Sequence, residues 1–74
     1  MNKVKLNYGT DNHEVTVPSG TTVGTVLRNS SNKVILGYGD NVKALINGVE
    51  QPDDAQLFDG AELVIETRAN SKAV

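Results

Sequence analysis

The sequence has no cysteine and no tryptophan, one histidine, one phenylalanine, two tyrosines and two prolines. Without thiols there is no disulfide framework, no thiolate metal site and no cysteine nucleophile. A helix that spans a bilayer needs about 20 apolar residues in succession, and no run here approaches that length. The opening Met1-Asn2-Lys3-Val4 lacks the apolar stretch of a secretion signal. Seven basic side chains against nine acidic ones give a formal charge of −2. That is the wrong sign for a general nucleic-acid binder, whose affinity comes from neutralising phosphates. Together these absences lead to the expectation of a soluble cytoplasmic domain, with no cofactor and no metal implied.

What is present suffices for one small domain. The 74 residues are 38% hydrophobic and 22% charged, a composition of folding chains rather than disordered ones. Lys3-Val4-Lys5-Leu6-Asn7-Tyr8 alternates, so Val4, Leu6 and Tyr8 share one face of a strand. Gly9-Thr10-Asp11-Asn12 supplies turn residues, and His13-Glu14-Val15-Thr16-Val17 resumes the alternation with Val15 and Val17 inward. The two runs predict an antiparallel hairpin, stopped by Pro18-Ser19-Gly20. Thr21 or Thr22 then caps a short helix from Val23 to about Asn29, whose Val23, Val26 and Leu27 fall on one face. Asn29-Ser30-Ser31-Asn32 reads as a loop, and Val34-Ile35-Leu36 as a buried plug or single helical turn. Val42 to Ile46 is strand-like, and Asn47-Gly48 is a strong hairpin signal, because a type I′ turn needs positive φ at both central positions. Val49-Glu50 begins a short return, Leu57 is a core anchor, and Ala61 to Thr67 is a closing strand with Leu63 and Ile65 on one face. Residues 1–67 are expected to form the domain and 68–74 a frayed tail.

Hairpin, helix, strand, short strand and closing strand make an α+β order around one mixed sheet of four to five strands, packed on one short helix. The last strand is placed most economically beside the first, parallel to it. Val17-Pro18-Ser19-Gly20-Thr21-Thr22-Val23-Gly24, Ile46-Asn47-Gly48 and Leu57-Phe58-Asp59-Gly60-Ala61-Glu62-Leu63-Val64-Ile65 follow in that order. In order and spacing they resemble the β-grasp, ubiquitin-like superfamily, most of all its sulfur-carrier and TGS-type branches, over most of Lys3 to Thr67. The resemblance implies a β-grasp roll. The length is also similar to that of phage- or plasmid-borne β-grasp proteins. Sulfur carriers and modifiers of this superfamily resemble one another in ending with Gly-Gly, which threads as bare backbone into an activating enzyme. The sequence here ends Asn70-Ser71-Lys72-Ala73-Val74 and contains no Gly-Gly pair, so carrier activity is not expected in its ordinary form.

Few residues suggest chemistry. His13 stands alone, and no Ser or Cys constellation can be built around it. Asp53, Asp54 and Asp59 lack the EF-hand spacing and suit turn and cap roles. Gly37-Tyr38-Gly39 lacks the third glycine of a phosphate loop, and is read instead as a loop that returns Tyr38 to the core. The sheet's outer face holds more. Strand parity turns Leu45 and Val64 away from the helix and sets them side by side, with Lys5 and Lys43 flanking and Asn7 and Thr16 farther along. Ubiquitin-like domains resemble this arrangement, an aliphatic pair ringed by basic residues, where they bind other proteins. The expectation is a non-enzymatic interaction module whose protein-binding residues are Leu45, Val64, Lys43 and Lys5, as a monomer or a weak homodimer through the sheet edges. Two alternatives stand beside it: a degenerate sulfur carrier of a cofactor pathway, and a TGS-like regulatory nucleic-acid binder. The latter wants a basic face with aromatics, and only Tyr8, Tyr38 and Phe58 are available.

Overall fold

A computed structural model describes residues 1–68. Its elements, in chain order, are β1 (Asn2–Tyr8), β2 (Asp11–Val17), α1 (Val23–Leu27), α2 (Ser30–Leu36), β3 (Val42–Ile46), β4 (Val49–Glu50) and β5 (Ala61–Thr67). The strands form one sheet in the order β2-β1-β5-β3-β4. β5 runs parallel to β1, and every other pair is antiparallel. The helices cover one face, α1 toward β3 and α2 against β2. This is the α+β β-grasp arrangement that the resemblance implies.

The alternating runs become strands for the reason their pattern suggests. Val4 and Leu6 of β1 meet Ala61, Leu63 and Ile65 of β5 beneath the helices, with Val23, Val26, Leu27, Leu36, Ala44 and Leu57 completing the core. Val15 and Val17 of β2 pack on this cluster from the side. The first turn is tighter than expected: only Gly9 and Thr10 lie outside the ladder, and Asp11 already pairs with Tyr8. Asn47 and Gly48 take φ of 53° and 80°, the left-handed pair that a type I′ turn requires. Gly24 answers a different need. A Cβ there would lie 2.9 Å from Asp53 Cβ, and the close approach lets the Gly24 N–H donate to the Asp53 carbonyl at 2.8 Å.

The structure corrects the segment after α1. Asn29 to Asn32, expected as a loop, opens a second helix, so the sheet carries two helices rather than one. Asn29 is its N-cap, and the Asn29 carboxamide oxygen accepts from the Ser31 and Asn32 N–H groups at 2.9 and 3.3 Å. The Asn32 side chain, 5% exposed, donates to the Val26 carbonyl at 3.0 Å, which also accepts the Asn29 N–H where α1 ends. Val34-Ile35-Leu36, expected as a buried plug or single helical turn, is the helical end of α2 and is only partly buried. Leu36 enters the core, whereas Val34 and Ile35 are 82% and 55% exposed, because successive helical residues point about 100° apart. Arg68, expected in the tail, donates its N–H to the Asn41 carbonyl at 2.8 Å. The rest of that expected tail, residues 69–74, lies outside the described residues.

Tyr38 does return to the core. Its hydroxyl donates to the Leu27 carbonyl at 2.8 Å, and its ring packs obliquely against Tyr8 with centroids 5.8 Å apart. Burial pushes the Tyr38 hydroxyl above its ordinary pKa of 10.0. A raised folded-state pKa means stability that is complete below the unfolded value and lost as pH rises through the folded one. Denaturation midpoints should therefore hold up to about pH 10 and then fall. Tyr38→Phe should lower stability by about 1 kcal/mol at neutral pH and flatten the alkaline decline. An unchanged decline would assign it to another group. Leu63 is fully buried at the sheet centre, so Leu63→Ala should cost about 3 kcal/mol in urea unfolding. A loss below about 1 kcal/mol would mean that the site repacks freely.

Candidate functional site

One face of the sheet has no helix on it. The pleat sends Lys3, Lys5 and Asn7 of β1, Glu62, Val64 and Glu66 of β5, and Lys43 and Leu45 of β3 to that side, opposite the buried set. Leu45 and Val64 are direct partners in the antiparallel β3–β5 register. Leu45 is half-buried, and Val64 is 38% exposed. Lys43 sits two pairs along, the next on the same face, opposite Glu66. On the other side of Val64 the register partner is Asn7, while Lys5 pairs with Glu62. Leu45, Val64 and Lys43 are thus brought together directly. Lys5 lies diagonally across β5, and Asn7, expected farther along, is the immediate neighbour.

The surroundings of this pair are not a basic ring. Lys43 Nζ lies 3.9 Å from Glu66 Oε1, Arg68 bridges to Glu50 at 2.9 Å, and the Asn7 amide donates to Glu62 Oε2 at 3.0 Å. Lys3, Lys5, Lys43 and Arg68 alternate with Glu14, Glu50, Glu62 and Glu66, and their charges cancel. Sequence reasoning missed Glu50 and Arg68. Continuing the β5 alternation one step past Thr67 would have put Arg68 on this face.

The remaining candidates take structural parts. His13 stands opposite Leu6 on β2 and is partly covered. Asp53 pairs with Arg28 at 3.2 Å, and the Asp59 carboxylate accepts the Lys3 backbone N–H at 2.8 Å. Asp40, beyond the helices, is hydrogen-bonded by Lys33, whose ammonium holds the Asp40 carboxyl below its ordinary range. Among the described residues no group of three or more His, Asp or Glu side chains converges as a metal site. No helix among them is long and apolar enough to cross a membrane. Because Glu66 is half in water, Lys43→Ala should change unfolding free energy by less than about 1 kcal/mol. A larger loss in urea denaturation would make Lys43 a structural residue rather than a free surface group.

No family model matches the sequence, and no curated protein matches it. Solved structures do. A ubiquitin from Caldiarchaeum subterraneum superposes with a TM-score of 0.72 at 22% identity, over 92% of this chain and 94% of that one. The Pyrococcus furiosus protein described as molybdopterin converting factor subunit 1 gives 0.71 at 21% identity, over 93% and 100%. ATBAG1, solved in complex with HSP70, gives 0.75 at 18% identity over 90% of this chain, which spans only 40% of the ATBAG1 chain. Likeness at these identities is a likeness of fold. It joins the strand order, the parallel β1–β5 pair and the one-sided helices in a single conclusion: the chain folds as a β-grasp, ubiquitin-like domain.

Proposed function

We propose that the chain is a non-enzymatic interaction module that docks on a protein partner through the open face of its sheet. The observation that carries this reading is the Leu45–Val64 pair, in register on adjacent strands and facing water on the helix-free side. With Leu45 half-buried and Val64 38% exposed, covering what remains in water contributes about 2 kcal/mol before the cost of association, so the pair anchors at most a weak and reversible interface. Lys43 and Lys5 serve orientation. The neutral charge mosaic around the pair gives little long-range steering, so register on the partner comes from short-range matching of alternating charges. The ATBAG1 likeness supports the reading, since that protein was solved with a protein partner.

A second reading, a degenerate sulfur carrier, is favoured by the likeness to the molybdopterin converting factor subunit. Intact mass of the protein taken from its native cell separates the two. A modified C-terminus supports the carrier, and an unaltered one removes it. For the docking face, affinity capture from the source cell should recover a partner with the native chain and lose it with Leu45→Asp and Val64→Asp combined. Circular dichroism should show that the double variant still melts cooperatively. Capture that survives both substitutions would overturn the proposed surface.

A further inference from the structure

α2 is seven residues long and has two unlike sides. Asn32 and Leu36 enter the domain. At about 100° per residue, Ser30, Ser31, Val34 and Ile35 fall on the opposite side, and all four are exposed. Val34, at 82%, is more exposed than any other large apolar side chain among the described residues, and Ile35 beside it is 55% exposed. β-Branched side chains here do little for the helix itself, because they lose rotamer freedom against the preceding turn. Ser30 and Ser31 stand one turn before the aliphatic pair, which leans back toward them. The four residues line a shallow hollow of about 330 Å³. This face carries no charge. Lys33, the one charged residue of α2, lies off it and is held by Asp40.

We propose that this face of α2 is a homodimer contact, in which α2 packs antiparallel against α2 of a second copy of the chain. The order of residues selects a copy as the occupant. Reversing the helix sets Val34 against Ser31 of the second copy and Ile35 against its Ser30, so each large side chain meets a small one. A two-fold axis makes every such contact twice, and a patch of two aliphatic side chains becomes a shared cluster of four. Charge argues the same way. Residues close to a two-fold axis meet their own copies, and a charged patch would repel itself. Here there is no charge to oppose. Area sets the strength. Stable dimers cover about 800 Å² on each partner, far more than two aliphatic side chains supply, so the dissociation constant is on the order of 1 mM. α2 lies on the helix side of the sheet, and the dimer leaves both Leu45–Val64 faces turned outward. Where the docking reading of that face holds, two such faces give avidity on clustered partners. The dimer itself does not rest on that reading.

The test is backbone and methyl NMR of the isotopically labelled chain at concentrations from about 0.05 to 5 mM. Expected are concentration-dependent shifts at Ser30, Ser31, Val34 and Ile35, with slower tumbling at the upper end. A mixture of labelled and unlabelled chain should show contacts from the Val34 methyls to Ser31 of the other copy. Val34→Asp should raise the dissociation constant at least about tenfold, because it places a carboxylate in the contact. Ser31→Leu separates shape from general stickiness. It adds apolar surface but fills the hollow, so complementary packing gives weaker association and nonspecific adhesion gives stronger. Both positions are exposed, and thermal melts should show both variants folding as the parent does. A chain that stays monomeric over the whole range would overturn the proposal and leave the patch to a different protein. So would shifts centred on β2, β4 or the Leu45–Val64 pair, undiminished association of Val34→Asp, or tighter association of Ser31→Leu. Contacts from Val34 to Val34 of the other copy, without any to Ser31, would overturn the antiparallel packing.

Discussion

The insertion of β5 between β1 and β3 is the constraint on which the rest of the structure depends. It joins Leu6 to Leu63 and Ala44 to Ile65 in one layer, bringing the two ends of the domain together at its centre. Closing so long a loop is entropically costly, and the fold pins the strand at both ends. At its entrance the Gly60 N–H donates to the Lys3 carbonyl at 2.8 Å, while the Asp59 carboxylate accepts the Lys3 N–H. At its exit the Arg68 N–H reaches Asn41. A slip of one residue would turn Leu63 outward and Val64 beneath the helices, so these polar clamps and the apolar alternation enforce the same register.

From that register come two faces of opposite character. The helix side is a continuous apolar cluster running from Val4 to Ile65. The other side is a field of alternating charges interrupted by Leu45 and Val64. Isolated surface aliphatics are ordinary. What distinguishes this pair is that two adjacent strands present it together and that ion pairs border it, Lys43 with Glu66 and Arg68 with Glu50. Ion pairs of this exposure add little to stability.

The helical side shows how a chain this small completes a core with little helix. α1 has five residues and α2 has seven, lengths at which an isolated helix does not hold. They hold here through caps and a shared polar link. Thr22 caps the first and Asn29 the second, and Asn32 ties the second back to the Val26 carbonyl. Tyr38 performs the same service for Leu27. At Leu27 a buried hydroxyl thus reaches a backbone acceptor at the end of α1, and at Val26 the Asn32 amide adds a donor to the Asn29 N–H. The cost of this economy is exposure: Val34 and Ile35 face water because α2 is too short and too narrow to bury more than one side.

The strands were legible because their signal is local. Period-two alternation at Val4-Lys5-Leu6, Val15-Thr16-Val17 and Leu63-Val64-Ile65 has only one pleated solution with an apolar face, and Asn47-Gly48 fixes a turn by backbone sterics alone. Parity also placed Leu45 and Val64 on the open side, since a strand has only two sides. α2 was not legible, because Asn29-Ser30-Ser31-Asn32 has weak helix propensity and becomes helical through a bond to a carbonyl on another element. Nor was the charge mosaic, since Glu50, Glu66 and Arg68 meet their partners only across strands distant in the chain. The sequence by itself determined which strand residues face the core, because alternation is a property of neighbours. Only the tertiary structure decided which charges neutralise one another and which edge was left unpaired, because both depend on the order in which the strands lie side by side.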